Sequence, residues 1–249
     1  MPKVRADQLL VARGLFESRA RAQAAIEAGL VTANGEQVKR PAQTLPPDAE
    51  LIAAAAHPYV SRGGVKLSAA LAHFRFDPAG KVCLDLGAST GGFTDVLLRS
   101  GARQVYAVDV GTGQLHPSLK SNRAVIELEK IDARALDRAL IPEPPEFITI
   151  DVSFISLKLI LPVLASLAAP AAEFVALIKP QFEAGRKLVR KGVVRDAAVH
   201  RDICDDLATF TAELGWHVLD VIDSPIEGGD GNREFLLGAC RGVGRPRKT

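Results

Sequence analysis

The 249-residue sequence predicts a doubly wound α/β domain with a mostly parallel sheet of seven strands, preceded by a small α+β domain. The main observation is that short apolar strand patterns alternate with helical patterns beyond Gly64, as is typical of βαβ units. A second observation is the Pro and Gly content of residues 57–64, which indicates a linker. We therefore expect domains at 1–56 and 65–249.

The first domain opens with two short helical patterns within residues 6–28, separated by Gly14, with Ser18 as the expected N-cap of the second. Asn34-Gly35 follows an apolar stretch and is a strong signal for a two-residue β-hairpin. Residues 51–53 offer a further short strand. These elements predict a compact α+β module.

The second domain contains seven strand patterns and five helical patterns. The strands are expected near 81–86, 104–109, 124–128, 146–151, 173–178, 216–223 and 233–240. The helices are expected near 65–75, 92–100, 132–139, 156–168 and 197–214. A Gly-rich turn closely links the last two strands, so we expect an antiparallel edge.

The composition excludes several classes of protein. Cys83, Cys204 and Cys240 are scattered and form no CxxC pair, so neither a disulfide framework nor a metal site is expected. The N-terminus lacks the apolar core of a secretory signal, which favours the cytoplasm. Charges and prolines interrupt the apolar stretch 157–178, so we interpret it as a core helix and a buried strand instead of a membrane span.

The net charge of +2 hides an uneven distribution. Residues 1–62 carry +2, residues 186–195 carry +5 and residues 241–249 carry +4, which leaves −9 for the remainder. An acidic body with separate basic patches suits a protein that holds a polyanion in one orientation. Solvated surface loops and a basic tail remain an alternative explanation of the same charges.

The segment from Asp85 to Phe93 follows the first strand and opens the next helix, where open α/β sheets bind ligands. Its glycines let the backbone approach a ligand closely. Asp109 ends the second strand, where a carboxylate can bond a ribose hydroxyl. The spacing differs from G-x-G-x-x-G, and an acidic lip suits a sulfonium better than phosphates, so S-adenosylmethionine is favoured over NAD.

The same glycines permit a second interpretation, since residues 87–91 match the G-x-S-x-G nucleophile elbow of hydrolases. Ser89 would then be the nucleophile. A triad needs a later acid and then a histidine, and Asp151 with His200 or His217 keeps that order.

Four charged residues are expected to converge at the carboxyl edge of the sheet. Asp151 and Lys179 end two strands, Glu234 begins the last strand, and Lys66 lies on the helix before the first strand. A lysine held by a carboxylate can act on a hydroxyl, by stabilising a developing alkoxide or by accepting its proton. Taken singly, each residue is as well explained by a surface ion pair.

The sequence resembles the TlyA family, sometimes labelled haemolysin A, over essentially its whole length. The motifs that carry this resemblance are Arg5-Ala6-Asp7, Ser18-Arg19-Ala20, Gly29-Leu30-Val31, Asn34-Gly35, Ser61 to Leu67, Asp85 to Thr94, Asp109 to Leu115, Asp151 to Ser156, Lys179 to Glu183 and Gly231 to Glu234. The first domain resembles the ribosomal S-four-type RNA-binding domain, and the second resembles the Rossmann-like methyltransferase domain of the FtsJ type.

The resemblance implies 2′-O-methylation of cytidine in ribosomal RNA, with ribosomal RNA or ribosomal subunits as partners. It places the Lys-Asp-Lys-Glu tetrad on Lys66, Asp151, Lys179 and Glu234. The expected S-adenosylmethionine contacts are Asp85, Gly87, Ala88, Ser89, Thr90, Gly91, Gly92, Phe93, Asp109, Asp132 and Ala133. Members that also modify small-subunit RNA tend to be extended at the termini. Because this sequence looks short at both ends by comparison, the large-subunit site is favoured.

Two further functions compete with this hypothesis. A ribosome-binding factor that has lost catalysis would be expected to show a disturbed tetrad or glycine segment, and neither is disturbed. A pore-forming haemolysin would need an uninterrupted apolar span, which the sequence lacks.

The candidate RNA contacts are basic residues and one aromatic residue. They are Arg5, Arg19, Arg21, Arg62, Phe182, Arg186, Lys187, Arg190 and Lys191. Phosphates would pair with the cations, and a base would stack on the ring. Each basic residue alone is also explained as a solvated surface charge, and Phe182 as a core residue.

Overall fold

The structure is a computed structural model that describes residues 3–185, 188–228 and 231–242. It divides into two compact units, Met1–Pro58 and Tyr59–Thr249. The division falls inside the segment 57–64 that the sequence assigns to a linker.

The N-terminal unit combines two helices with five short strands. These are α1 (Ala6–Ala12), α2 (Arg19–Glu27), β1 (Val4–Arg5), β2 (Val31–Ala33), β3 (Glu36–Gln37), β4 (Thr44–Leu45) and β5 (Leu51–Ala53). The Ser18 side chain accepts a hydrogen bond from the Arg21 amide, which confirms the expected N-cap. Asn34 and Gly35 both have positive φ, as a tight β2–β3 hairpin requires. The pairing of β1 with β4 was not anticipated.

The C-terminal unit is built on a sheet of seven strands, as predicted. They are β6 (Val82–Leu86), β7 (Gln104–Asp109), β8 (Val125–Glu129), β9 (Phe147–Ile150), β10 (Glu173–Ile178), β11 (His217–Asp223) and β12 (Phe235–Cys240). Their order is β11-β12-β10-β9-β6-β7-β8. In the described sheet, β12 runs in the opposite direction to the other six strands, so its pairing with the edge strand β11 is antiparallel, as expected.

Helices flank both faces of this sheet. They are α3 (Gly63–Phe74), α4 (Gly92–Arg99), α5 (Pro117–Lys120), α6 (Leu161–Leu167), α7 (Pro180–Glu183) and α8 (Ala197–Glu213). Separate apolar clusters cover the two faces, one beneath α3 and α4 and one beneath α6 and α8. This two-sided burial explains why the central strands are apolar almost throughout.

Two predicted helices are wrong in extent. Residues 132–139 form only one 3-10 turn at Ala133–Ala135, because the following chain is extended and then turns around Asp137. Residues 156–168 form a 3-10 turn at Leu157–Leu159 and then α6, which carries a proline in its first turn. Proline is tolerated there but would clash within a continuous helix.

The long apolar stretch 157–178 forms α6 and the buried strand β10, as predicted. No helix in the described parts of the chain is both long enough and apolar enough to cross a membrane. Cys83 and Cys204 are buried free thiols, and Cys240 is half-buried.

Candidate active site

A glycine joins the end of β6 to the end of β9. Gly87 has φ +82°, and a Cβ built on it would lie 2.5 Å from the backbone oxygen of Asp151. The amides of Gly87 and Ala88 both bond the carbonyl of Val108 at the end of β7. The carboxyl ends of three parallel strands are therefore drawn together at a point where a side chain would not fit.

A cavity of about 440 Å³ opens at this point. Its lining includes Gly87, Ser89, Asp109, Gln114, Asp132, Ala133, Arg134, Asp151, Ser153 and Phe154. Asp109 is held in place by the amides of Ser89 at 2.8 Å and Gly111 at 2.7 Å. Its carboxylate is thus fixed where the sequence expects a ribose contact. The volume lies within the range of small-molecule sites, about 300–1,000 Å³.

Asp132 and Ala133, which the resemblance places at the S-adenosylmethionine site, line the same cavity. The Asp132 carboxylate accepts hydrogen bonds from the backbone and the guanidinium of Arg134. The guanidinium is the main reason that the pKa of the Asp132 carboxyl falls to about 2. This carboxylate is therefore ionised and faces a cation at the cavity wall.

Asp85 lies beneath the cavity instead of in its lining. It is fully buried, and its two oxygens accept the hydroxyls of Thr94 at 2.6 Å and Thr149 at 2.8 Å. Burial raises the pKa of the Asp85 carboxyl to about 6, and the two hydroxyl bonds oppose that rise. Asp85 thus ties α4 to β9 below the glycine turn.

Only Gly87 and Ser89 of the predicted glycine segment line the cavity. A Cβ on Gly91 would lie 2.2 Å from the Leu119 side chain, and one on Gly92 would lie 2.2 Å from Ser61 Oγ. Both glycines therefore permit close packing. The remaining members of the segment also lie elsewhere: Ala88 and Phe93 are buried in apolar clusters, and the carbonyl of Thr90 bonds the His116 amide.

The predicted tetrad assembles as two ion pairs. Lys179 Nζ lies 2.6 Å from Asp151 Oδ1 and donates to Ser153 Oγ at 2.9 Å. Lys66 on α3 forms a short ion pair with Glu234. Ile178 of β10 lies opposite Phe235 of β12, so the next residues, Lys179 and Glu234, are brought to the same place in the sheet.

Phe154 is a site residue that the sequence interpretation left without a role. Its side chain is 90% exposed at the cavity, and its backbone is left-handed with φ +64°. The ring centroids of Phe154 and Phe182 lie 4.9 Å apart. The sequence did contain a signal for Phe154, because an aromatic residue stands three positions after the strand-end Asp151. This motif, Asp151 to Ser156, served only to support the family resemblance.

The candidate RNA contacts of the N-terminal unit surround a buried carboxylate. Arg5 binds Asp7 with two nitrogens, and Arg19 binds the same carboxylate at 2.9 Å. The hydrogen bond from Arg5 is the largest cause of a pKa of Asp7 far below its usual range. Arg21 is 3.7 Å from Glu17. These arginines are held in place while much of each side chain of Arg5 and Arg19 stays exposed.

In the C-terminal unit, Arg62 is exposed at the start of α3, and Arg190 and Lys191 lie in a tight turn. Arg190 and Val193 exchange two backbone hydrogen bonds across this turn. The side chain of the buried Asn232 donates to the carbonyl of Gly192 at 3.1 Å and so ties the turn to the segment that carries Glu234. Arg186 and Lys187 lie outside the described residues.

The hydrolase triad does not assemble. Ser89 Oγ donates to the Gln114 side chain at 3.1 Å. His200 is buried, with Nε2 3.0 Å from the Val194 carbonyl oxygen. His217 begins β11, which lies four strands from β6 in the sheet, or about 19 Å at the usual strand spacing. Neither histidine can therefore activate Ser89 in this structure.

Within residues 3–185, 188–228 and 231–242, no three His, Cys, Asp or Glu side chains are grouped so that they could hold a metal ion.

Known proteins resemble this chain along nearly all of its length. The FtsJ-like methyltransferase family matches residues 59–241, and the S4 domain matches residues 4–51. YqxC of Bacillus subtilis is 48% identical over 239 residues, covering 94% of this chain and 85% of YqxC. The 16S/23S rRNA (cytidine-2′-O)-methyltransferase TlyA of Mycobacterium tuberculosis is 42% identical over 238 residues, covering 94% and 89%.

A solved structure of a protein from Streptococcus thermophilus that is named as a hemolysin has a TM-score of 0.76 at 44% identity, and the match covers 97% of this chain and 89% of that one. The FtsJ-like match agrees with the seven-stranded, mostly parallel sheet of the C-terminal unit. The chain therefore belongs to the FtsJ-like methyltransferase family, carries an S4 domain, and groups with the TlyA proteins.

Proposed function

We propose that this protein transfers the methyl group of S-adenosylmethionine to the 2′-hydroxyl of a cytidine in ribosomal RNA, with large-subunit RNA as the favoured substrate. The observation that carries the proposal is the Lys179–Asp151 ion pair beside a nucleoside-sized cavity. The name of the Mycobacterium tuberculosis relative supports both the reaction and the cytidine. On this proposal the protein works in the cytoplasm, where ribosomal RNA is found.

The cavity fits S-adenosylmethionine. Gly87 has no side chain and a positive φ, so the backbone can approach the amino-acid part of the cofactor. The Asp109 carboxylate can accept hydrogen bonds from the ribose hydroxyls, and Asp132 with Ala133 can bind the edge of the adenine ring. Asp85 supports the turn from below. When bound, S-adenosylmethionine supplies an electrophilic methyl group on a positively charged sulfur.

Lys179 is the proposed catalytic residue for the hydroxyl. Asp151 and Ser153 hold its Nζ at the carboxyl edge of the sheet, so little reorientation is needed when the nucleotide arrives. For the transfer, Nζ first releases a proton to solvent. The neutral amine then accepts the 2′-hydroxyl proton as the oxygen–carbon bond forms and the methyl–sulfur bond breaks, and the resulting ammonium remains paired with Asp151.

The second pair has a supporting role in this proposal. Glu234 and Lys66 are both buried, and neither lines the cavity. Lys179 also lies outside the lining, but its partner Asp151 is part of it. Breaking such a pair leaves an uncompensated charge inside the protein. We therefore assign Lys66 and Glu234 to holding the end of β12 beside Lys179.

Several surfaces are proposed to hold the RNA. Phosphates would meet the exposed arginines of the S4 domain and the basic turn that contains Arg190 and Lys191. Target bases of RNA-modifying enzymes are commonly turned out of the helix. The exposed ring of Phe154, supported by Phe182, is placed to stack on such a base.

The test is methyl transfer from labelled S-adenosylmethionine to three substrates: naked ribosomal RNA, isolated subunits and assembled ribosomes. The modified nucleotide is then identified by nuclease digestion and mass spectrometry. We expect 2′-O-methylcytidine, mostly in large-subunit RNA. Label on a base, or no transfer to any of the three substrates, would contradict the proposal, and label in small-subunit RNA alone would contradict its large-subunit part.

A further inference from the structure

Two short segments meet beside the cavity, and three sets of contacts join them. The Phe154 loop is residues 151–157, and the lysine segment is residues 179–183. Lys179 contacts Asp151 and Ser153, Phe182 contacts Phe154, and Glu183 contacts Ser156 and Leu157. Of these contacts, only those of Glu183 have no part in the proposed reaction or in base stacking.

Glu183 uses both carboxylate oxygens in this contact. Oε2 accepts the Ser156 hydroxyl at 2.6 Å, and Oε1 accepts the Leu157 amide at 2.8 Å. Ser156 Oγ in turn accepts the Lys158 amide and caps the following 3-10 turn. Burial raises the pKa of the Glu183 carboxyl, and the two donors partly oppose the rise. Both oxygens of the Glu183 carboxylate therefore bind the Phe154 loop.

The loop needs such an anchor because Phe154 is in an unfavourable conformation. A left-handed backbone is unfavourable for a residue other than glycine, and the ring remains largely in solvent. The loop is held before Phe154 through Ser153 and after it through Ser156. Loss of either anchor would let Phe154 relax to a commoner conformation and leave the cavity mouth.

We propose that Glu183 is a positioning residue that fixes the Phe154 loop for the target nucleotide through Ser156 and Leu157. This inference rests on the proposed function and adds a residue that touches neither RNA nor cofactor. It links the segment carrying Lys179 to the loop carrying Phe154, so that the hydroxyl and the base of one nucleotide are held by a single unit.

The first test is steady-state kinetics of Glu183→Ala and Glu183→Gln with ribosomal RNA. Glu183→Ala should raise the KM for RNA about tenfold, the usual scale for loss of a charged hydrogen bond. The dissociation constant for S-adenosylmethionine should stay within about twofold, because the carboxylate lies outside the cavity lining. Glutamine keeps one acceptor oxygen and should restore part of the loss.

The matched control is Glu146→Ala. Glu146 is also half-buried and accepts a backbone amide, that of Val82, but it lies at the amino end of β9, at the opposite edge of the sheet. Its substitution should leave the KM for RNA unchanged. An equal rise in both variants would overturn the proposal, because the effect would then come from general loss of stability.

A double-mutant cycle tests whether Glu183 acts through Phe154. In a Phe154→Ala background, Glu183→Ala should change the KM for RNA less than twofold, since there is no ring left to position. Full additivity of the two substitutions would overturn the proposal.

Amide hydrogen exchange at Leu157 gives a readout independent of catalysis. Its amide should be protected in the native protein and should exchange at least about tenfold faster in Glu183→Ala. Unchanged protection would overturn the positioning role even if RNA methylation is demonstrated. A native protein that methylates no RNA but shows the expected exchange would instead overturn only the proposed function.

Discussion

The two lysine–carboxylate pairs near the end of β10 have the same chemistry but different surroundings. In the Lys179–Asp151 pair, the carboxylate side chain is 23% exposed and lines the cavity. In the Lys66–Glu234 pair, the carboxylate is 3% exposed, and a Cβ on Gly228 would lie 2.0 Å from it. Asp151 is therefore open to a substrate, while Glu234 is enclosed next to the strand that completes the site.

The largest effect is expected at the open pair. Lys179→Ala should lower the kcat of methyl transfer about 1,000-fold, within the range for loss of an acid–base group. The free energy of unfolding should fall by less than about 1 kcal/mol, because Asp151 remains in contact with solvent. Transfer of labelled methyl groups and chemical denaturation measure the two quantities.

Lys158→Ala is the matched control, since Lys158 is an exposed lysine paired with Asp206 on α8. It should retain full activity. A fully active Lys179→Ala protein would refute the catalytic assignment.

Substitutions in the enclosed Lys66–Glu234 pair should lower the stability of the protein. Lys66→Met should lower the free energy of unfolding by about 3 kcal/mol, because it leaves Glu234 charged and enclosed. The double variant Lys66→Met/Glu234→Leu should recover most of that loss in a denaturation experiment, since neither charge remains. If Lys179→Ala is as destabilising as Lys66→Met, the distinction between an open and an enclosed pair fails.

Asp85 is a buried carboxylate of a different kind, because its partners are two hydroxyl groups instead of a lysine. Folding raises its pKa from 3.8 to about 6, so the native state holds the proton more tightly than the unfolded state. The resulting stabilisation is complete below the unfolded pKa and is lost as the pH rises through the folded pKa.

The side chain in Asp85→Asn is uncharged at every pH, so this variant does not lose stability as the pH rises through the pKa of Asp85. Its free energy of unfolding, relative to the native protein, should therefore rise by about 3 kcal/mol between about pH 3 and pH 8. Denaturation at several pH values measures the difference. A pH-independent difference would show that the carboxyl of Asp85 titrates normally.

The position of Asp151 should also depend on the glycine beside it. Gly87→Ala places a methyl group against the Asp151 carbonyl and should lower kcat/KM about 100-fold, the scale of an ångström-sized misplacement. Gly80→Ala is the control, since Gly80 also has positive φ but nothing within 4 Å of its Cβ position. Equal losses in the two variants would mean that backbone strain, and not the contact with Asp151, causes the effect.

The smallest effect is expected at the basic turn tied to Glu234 through Asn232. Arg190→Ala/Lys191→Ala should reduce the slope of log affinity against log salt by about 1.5, roughly 0.7–0.9 for each phosphate contact. RNA binding at several salt concentrations measures this slope. Arg103→Ala, at the amino end of β7 and paired with Glu143, should leave it unchanged. An unaltered slope in the double variant would remove the turn from the RNA surface.

The sequence predicted the order of strands and helices in the C-terminal unit because apolar runs and turn residues are local signals. Each of the seven strands begins and ends within two residues of its predicted bounds. The two shortened helices failed because Asp137 and Pro162 act through local bonding and sterics that periodicity does not register.

The fold class, the glycine turn and the charged residue types at the strand ends follow from the sequence, since all three are local features of the chain. The division of the tetrad into two pairs, the place of Asp85 beneath the cavity and the exposure of Phe154 beside Phe182 emerge only on folding. These depend on strand register, burial and contacts between residues far apart in the chain, which a linear pattern does not specify.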